Sequence, residues 1–444
     1  MSTEKLLNAC KKFIPKNIFD ALSPIYHRLL AYSAAVYYGF PSKKIKVIGV
    51  TGTKGKSTVV YLIARILEAN GIKVCAVNSF EYRVGEKSAD NASANSMPGR
   101  FKLQKFLYDA KKLGATHAVI EVTSEGITQF RHWGVSFDTA VITNLEPEHI
   151  ERHGGFEVYY AAKQKLFART NNNHVVNADS KYAELFLKFP SKRKLTYGIT
   201  GGDLRAQEIM YGAENTQFRV GNVLVVTNLI GEFNVYNTLA TMSACALCGV
   251  SPEGSAAALK KIVPPTGRLQ EIKAGQPFRV FVDYAHTPES LEAVYKVLKT
   301  INKKQDTPKG KLICILGAAG GGRDTWKRPE FGKIAGNYCD EIILTNEDPY
   351  DENPEAILEE IASGFSQNQK SKIKNQKIWK ILDRGDAIKK ALSLAYTKDD
   401  VVIITGKGSE GSIHLAHGKT MPWSDVKSVK IALWMDSTPE FTKI

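Results

Sequence analysis

The chain has 444 residues, room for two or three domains at about 150 each, and 43% of it is apolar, enough to bury proper cores. With 24% charged residues, 35 Gly and 17 Pro, it lacks the bias of disordered, fibrous or coiled-coil chains and reads as soluble and globular. Sixty Lys and Arg against 45 Asp and Glu leave +15, an excess that suits nucleotides, nucleic acid or an anionic membrane face; no RNA-binding signature or recognition helix favours nucleic acid.

In chain order, residues 1–44 read as a basic helical lead. LLAYSAAVYYGF (29–40) is apolar and tyrosine-rich, yet shorter than the roughly 20 residues a membrane span needs. Residues 1–46 hold eight Lys or Arg and two acids, a net +6, with no small-residue cleavage site of a secretory signal. Such a lead suits a helix packed on the following domain as well as peripheral contact at the inner face of an anionic membrane.

IKVIGV (45–50), the amphipathic STVVYLIARILEANG and then KVCAVNS form a βαβ pattern. Apolar runs at 117–122, 139–144, 278–285, 311–317, 341–346 and 400–406 alternate with helical patterns such as PESLEAVYKVLKTI and DAIKKALSLAY. Strands spaced by helices predict an α/β protein with parallel sheets covered on both faces. Residues 170–229 look more irregular and locally antiparallel, and the Lys-rich run 369–377 reads as a solvated loop. Two prolines and a glycine in IVPPTGR (262–268) mark a boundary, giving domains of 45–266 and 267–444 after the lead. Six cysteines (Cys10, Cys75, Cys245, Cys248, Cys314, Cys339) are too sparse for a disulfide framework, and Cys245-x-x-Cys248 has no second pair to complete a zinc site. All six read as reduced, packed thiols of a cytoplasmic protein.

The first strand runs into a helix through Gly49-Val-Thr-Gly-Thr-Lys-Gly-Lys-Ser-Thr58. At such a junction glycines let backbone N–H groups close on phosphate oxygens, a lysine reaches the β/γ-phosphates and a hydroxyl binds Mg²⁺. This predicts a phosphate-binding loop, with Gly52, Thr53, Lys54, Gly55, Lys56, Ser57 and Thr58 on a nucleoside triphosphate. Its first glycine, Gly49, stands one residue earlier than the usual pattern.

That spacing resembles the Mur ligases and their folylpolyglutamate synthase relatives, ATP-dependent enzymes that join a carboxylate to an amine. Glu121-Val-Thr-Ser-Glu-Gly-Ile-Thr-Gln-Phe-Arg131 is similar to the E-V-S-S-H-G-x-x-Q-x-R block of the muramyl-tripeptide synthetase (MurE-type) branch. Thr143-Asn144-Leu145-Glu146-Pro147-Glu148-His149-Ile150-Glu151 resembles T-N-L-x-x-D-H-L-D, with glutamates for both aspartates. Tyr160-Ala161-Ala162-Lys163, Phe233-Asn234-Val235-Tyr236-Asn237, Gly267-Arg268, Asp283-Tyr284-Ala285-His286-Thr287-Pro288, Gly321-Gly322-Arg323-Asp324 and Gly406-Lys407-Gly408 before Glu410 continue the likeness in order.

The resemblance implies a phosphate-loop-type central ATPase domain with a parallel sheet, then a Rossmann-like C-terminal α/β domain. It implies Lys56, Glu121, His149 and Lys163 as catalytic residues, with Ser57, Glu121, His149 and a CO₂-carbamylated Lys163 on two Mg²⁺ ions. Asn237, Arg268, Asp283 and His286 would surround the adenine and ribose. Ser96, Thr123, Ser124, Gln129 and Arg131 would meet the muramyl-peptide, although Met97 stands where the branch has a second threonine. Gly406, Glu410, Glu347, Asp348 and Tyr350 would meet the incoming amino acid, and Arg323 or Arg328 its α-carboxylate.

Two departures matter. The branch carries a domain ahead of the ATPase domain to grip the uridine diphosphate, where this chain has the basic lead. Diaminopimelate-adding enzymes read a distal carboxylate with D-N-P-R, and this chain has Glu347-Asp348-Pro349-Tyr350; a tyrosine has no guanidinium fork. The expectation is an ATP-dependent ligase that adds lysine or diaminopimelate to a UDP-muramoyl-dipeptide through an acyl phosphate, with lysine favoured. A Mur-like ligase with another acceptor (a lipid-linked muropeptide, folate polyglutamate or a poly-amino-acid) and a degenerate nucleotide-binding scaffold are the alternatives.

Overall fold

The computed structural model describes residues 16–85, 87–91, 95–146, 155–301, 310–322, 324–365 and 377–437. His149, Arg323, residues 1–15 of the lead and most of the Lys-rich run lie outside the described residues. By internal contacts the chain divides into one unit of residues 1–207, 219–224 and 236–259 and another of 208–218, 225–235 and 260–444.

After helix α1 (Lys16–Tyr37) come strands β1 (Lys46–Thr51), β2 (Val74–Val77), β3 (Glu81–Val84), β4 (Lys87–Asp90), β5 (His117–Glu121), β6 (Thr139–Ile142), β7 (Asn173–Asn177), β8 (Arg193–Gly198), β9 (Leu204–Tyr211), β10 (Thr216–Val220) and β11 (Val223–Thr227). They form one sheet in the order β11-β10-β9-β8-β7-β6-β1-β5-β2-β3-β4. Strand β1 is central, parallel to β5 and β6, and buried in all but Lys46, which is why its sequence is continuously apolar rather than alternating. Helix α2 (Lys56–Ala69) follows β1 and buries Val59, Val60, Leu62, Ile63, Ile66 and Leu67. Three further helices are α3 (Arg100–Lys112), α4 (Ser124–Thr128) and α5 (Phe156–Ala168). The early glycine finds its cause here: a Cβ at Gly49 would sit 2.9 Å from the Phe137 ring, so Gly49 serves strand packing and the loop keeps its own Gly52 and Gly55.

The second sheet has β12 (Gln270–Ile272), β13 (Arg279–Val282), β14 (Leu312–Leu316), β15 (Glu341–Leu344), β16 (Lys377–Lys380) and β17 (Val401–Ile404), in the order β12-β13-β17-β14-β15-β16. Only the β12–β13 pair is antiparallel. Along β14, Leu312, Cys314 and Leu316 enter one core while Ile313 and Ile315 enter another. Both faces are therefore covered, as the unbroken run KLICILG predicts.

Two expectations need correction. Strands β7, β8 and β9 pair in parallel, so the antiparallel reading of 170–229 holds only in its later part, where the neighbouring β10 and β11 are joined by Gly221 and Asn222 alone, too short a link for a parallel crossover. The polar ends of β7 disguise it: buried Asn173 donates to Asp138 Oδ2 at 2.9 Å and buried Asn177 to Thr143 O at 3.4 Å, so residues that look like turn formers are satisfied inside a core strand. Cys314 and Cys339, expected as reduced thiols, are joined in a disulfide with Cα atoms 6.1 Å apart. Cys339 closes the helix Lys327–Tyr338, two residues before β15, and a separation of 25 residues gives no sign that it meets Cys314. Cys75 and Cys245 are buried free thiols and Cys248 is half-buried.

Candidate active site

In the first unit the loop between β1 and α2 is fastened from outside. A Cβ at Gly52, φ 147°, would meet Thr143 Oγ1 at 1.9 Å, and one at Gly55, φ 80°, would meet Asn237 Oδ1 at 2.2 Å. No other residue fits either position. Lys54 N–H donates to Asn144 Oδ1 at 2.8 Å, Thr143 Oγ1 donates to Lys54 O at 2.6 Å, and Tyr159 OH donates to Thr53 Oγ1 at 3.2 Å. The loop thus presents the first turn of α2 as an open anion site. Lys56 Nζ rests on Thr53 O at 2.8 Å, within reach of a phosphate held there.

Below that turn, Ser57 Oγ donates to Glu121 Oε2 at 2.7 Å, and Ser79 N–H donates to the same oxygen at 3.1 Å. Glu121 is at the end of β5, 2% exposed. A hydroxyl and a carboxylate beside a phosphate site are hard oxygen donors of the kind Mg²⁺ takes when phosphate and water complete its shell, so these residues fit the ion. Among the described residues no group of three His, Cys, Asp or Glu forms a metal cage. Lys163, on α5 and 1% exposed, donates to Gly52 O at 2.8 Å and lies 4.2 Å over the Tyr159 ring.

A second group forms on the segment around α4. Arg131 donates to Gln129 Oε1 at 2.8 and 3.1 Å, to Asn95 Oδ1 at 3.1 Å and to Met97 O at 2.5 Å. Met97 is buried against Gly126, so at this position the backbone carbonyl does the polar work and the side chain fills the core. Thr123 caps α4 by accepting the Gly126 N–H at 3.0 Å, Ser124 is buried and Ser96 half-buried. Arg100, at the start of α3, donates to Gln129 O, while its buried Nε has no partner. Burial, and then the neighbouring Arg131, lower its pKa. Two guanidinium groups side by side make a receptor for a carboxylate or phosphate.

In the second unit Asp283 Oδ2 accepts the Leu269 N–H at 2.6 Å and Oδ1 the Ala285 N–H at 2.7 Å. Both oxygens shape the loop that holds Arg268, stacked 4.2 Å over Tyr284, and His286, whose Nδ1 is 2.8 Å from Tyr284 O. Deeper in that unit Lys407 Nζ lies between Asp348 Oδ1 at 2.8 Å and Glu410 Oε2 at 2.7 Å, and Tyr284 OH donates to Glu410 Oε1 at 2.9 Å. Arg384, at the start of a helix (Arg384–Leu392), is taken up by Asp425 at 2.7 and 2.8 Å. Four carboxylates thus face two cations, and Glu347 is the one without its own. Its Oε2 is buried with no partner, 2.5 Å from where a Cβ at Gly406 would be. Burial pushes its pKa up to about 7, opposed by Lys407 and Arg384 and reinforced by Asp348 and Glu410.

Two family models match the chain: the Mur ligase middle domain over residues 50–245 and the Mur ligase glutamate ligase domain over residues 267–408. The chain belongs to the Mur ligase family. It is 36% identical to a UDP-N-acetylmuramyl-tripeptide synthetase of Roseiflexus sp. (strain RS-1), over 91% of this chain and 81% of the relative. It is also 36% identical to a UDP-N-acetylmuramoyl-L-alanyl-D-glutamate--2,6-diaminopimelate ligase of Aquifex aeolicus (strain VF5), over 92% and 82%. A solved ligase structure of that same description superposes with a TM-score of 0.61 at 29% identity, covering 90% of this chain and 80% of that one.

Within this Mur ligase, Lys56, Ser57, Glu121, Lys163 and Asn237 gather around one loop. Arg328 does not serve an open site: it is 2% exposed and ion-paired at 2.8 Å with both Glu352 and Glu360. Tyr350, φ 50°, stacks on His414 with ring centroids 5.2 Å apart. Sequence reasoning missed Arg100 and Arg384 and gave Lys407 no role. Lys407 was readable from its place between Gly406 and Gly408; nothing in sequence joins Arg384 to Asp425.

Proposed function

We propose that this Mur ligase adds a diamino acid, lysine in preference to diaminopimelate, to the D-glutamyl carboxylate of a UDP-N-acetylmuramoyl-dipeptide at the expense of ATP. The surplus of carboxylates at Glu347, Asp348 and Glu410, the first two of them buried, carries the choice of amino acid, because it lacks one positive charge that a distal ammonium would supply. Residues 45–266 would bind ATP and residues 267–444 the amino acid.

The reaction must bring a negative γ-phosphate to a negative carboxylate. Lys56 would leave Thr53 O for the β/γ-phosphates, and Arg131, Gln129 and Arg100 would hold the muramyl-peptide anion so that its carboxylate attacks in line. Two Mg²⁺ ions would supply further neutralising charge, one on Ser57 and Glu121, the other on His149 and Lys163 after CO₂ turns that amine into a carbamate. The acyl phosphate is then attacked by the amine, with the distal ammonium fixed by Glu347 and phosphate leaving. Asn237, Arg268 and His286 would position the nucleotide, and Asp283 shapes the loop carrying the last two. An ATP-consuming reaction accords with a cytoplasmic setting.

Phosphate release measured with UDP-N-acetylmuramoyl-L-alanyl-D-glutamate and single amino acids is the test. Release should require both substrates and be fastest with lysine. Absence of amino-acid-dependent release, or release only with a folate or lipid-linked acceptor, would overturn the assignment.

A further inference from the structure

Helix α1 is built inside out. Its inner face is small: Ala31, Ala34 and Ala35 are 0 to 1% exposed, with α3 and Gly134 packed close. Its large side chains point the other way. Leu22, Ile25, Leu29, Tyr32, Val36 and Tyr37 are 53 to 77% exposed, and the steps of three and four residues between the first five put them on one stripe. An ordinary surface helix has the opposite arrangement, and so large an apolar stripe marks an interaction surface.

The surroundings select the occupant. Residues 16–46 and 100–112 together hold ten Lys or Arg against two Asp, and Lys43, Lys44, Lys111 and Lys112 are exposed where α1 and α3 end. Lys44 and Lys111 crowd each other, which lowers the pKa of Lys111. A second copy of the chain would bring two such positive surfaces together, and the stripe spans about two heptads, below the three or four of a stable coiled coil, with no opposite charges flanking it. No helix among the described residues is long and apolar enough to cross a membrane.

We propose that α1 lies flat in the surface of an anionic bilayer, with its outer stripe at the acyl boundary and the Lys43, Lys44, Lys111 and Lys112 ammonium groups among acidic headgroups. Tyrosines at 32 and 37 suit that depth, where one end of the ring is wet and the rest apolar. None of the stripe residues belongs to the groups assigned to catalysis or substrate above, although Arg28 of α1 lies 4.6 Å over the Phe130 ring, between Gln129 and Arg131; the proposal does not depend on which amino acid is added.

Flotation of the full chain with vesicles decides it. Binding to phosphatidylcholine vesicles containing phosphatidylglycerol, weak binding to phosphatidylcholine alone and release at high salt are expected. Leu29→Ser combined with Tyr32→Ser changes only exposed positions and should cut binding about tenfold or more while solution turnover stays normal; Lys43→Glu with Lys44→Glu should do the same. Absence of flotation, equal binding to neutral vesicles, or binding unaffected by Leu29→Ser with Tyr32→Ser would overturn the proposal. So would a solution mass twice that of the chain that falls to one chain in that variant, which would assign the stripe to a second copy.

Discussion

Ser57 and Glu121 stand 64 residues apart in sequence, yet the Ser57 hydroxyl donates to Glu121 Oε2 at 2.7 Å. The pair joins the start of α2 to the end of β5, where a strand's last residue meets a helix's first turn. Glu121→Gln keeps the shape and an acceptor for Ser57 while removing the charge. Turnover should fall on the order of a hundredfold and need more Mg²⁺, with an unchanged melting temperature. Magnesium titrations of phosphate release check this; wild-type magnesium dependence would remove Glu121 from the metal.

Lys163→Ala should be nearly inactive, and short carboxylates such as formate or acetate should restore part of the rate by replacing the carbamate as a metal ligand. Loss of the bond to Gly52 O alone would not be repaired by an added anion. Intact mass of an active preparation under CO₂ supplies the second check, because carbamylation adds one CO₂.

Glu347 sets a pH dependence. Its folded pKa, pushed up to about 7 chiefly by burial, lies above the ordinary carboxylate value of about 4.3. The neutral form is therefore favoured in the fold, and stability present at low pH is lost as pH rises through 7. Glu347→Gln, which cannot ionise, should overtake the wild type in stability between about pH 5 and 8, by up to about 3 kcal/mol, a gain read as a higher melting temperature. Adding lysine should restore the wild type at the upper end, because an ammonium pairs with the ionised carboxylate.

Tyr350→Arg should shift kcat/KM toward diaminopimelate, since a guanidinium supplies the bidentate partner for a second carboxylate. Competition between lysine and diaminopimelate reads this directly. A wild-type preference for diaminopimelate would mean that another residue reads the distal group.

Arg100→Ala should raise KM for the muramyl substrate about tenfold, with KM for the amino acid unchanged. Equal changes in both would mark Arg100 as structural, holding Gln129 rather than substrate.

The α/β plan was legible because its strands are buried on both faces and read as unbroken apolar runs, KLICILG most plainly. The phosphate loop was legible because its chemistry is local: glycine, lysine and hydroxyl follow one another in the chain. What stayed hidden is made by long-range pairing. Nothing near Cys314 points to Cys339, and Asn173 and Asn177 look like turn residues until Asp138 and Thr143 meet them. Arg328 passes for a ligand until Glu352 and Glu360 close on it, because a sequence shows a charge and not its partner.

The closing of Asn237 on Gly55 also has a temporal side. Translation delivers β1, the loop and α2 early, but the side chain that braces Gly55 comes 182 residues later in the chain. A nascent chain that has emerged only as far as β11 therefore carries a phosphate loop open on its Asn237 side. Nucleotide competence should arise late in synthesis, so that incomplete chains neither bind nor spend ATP.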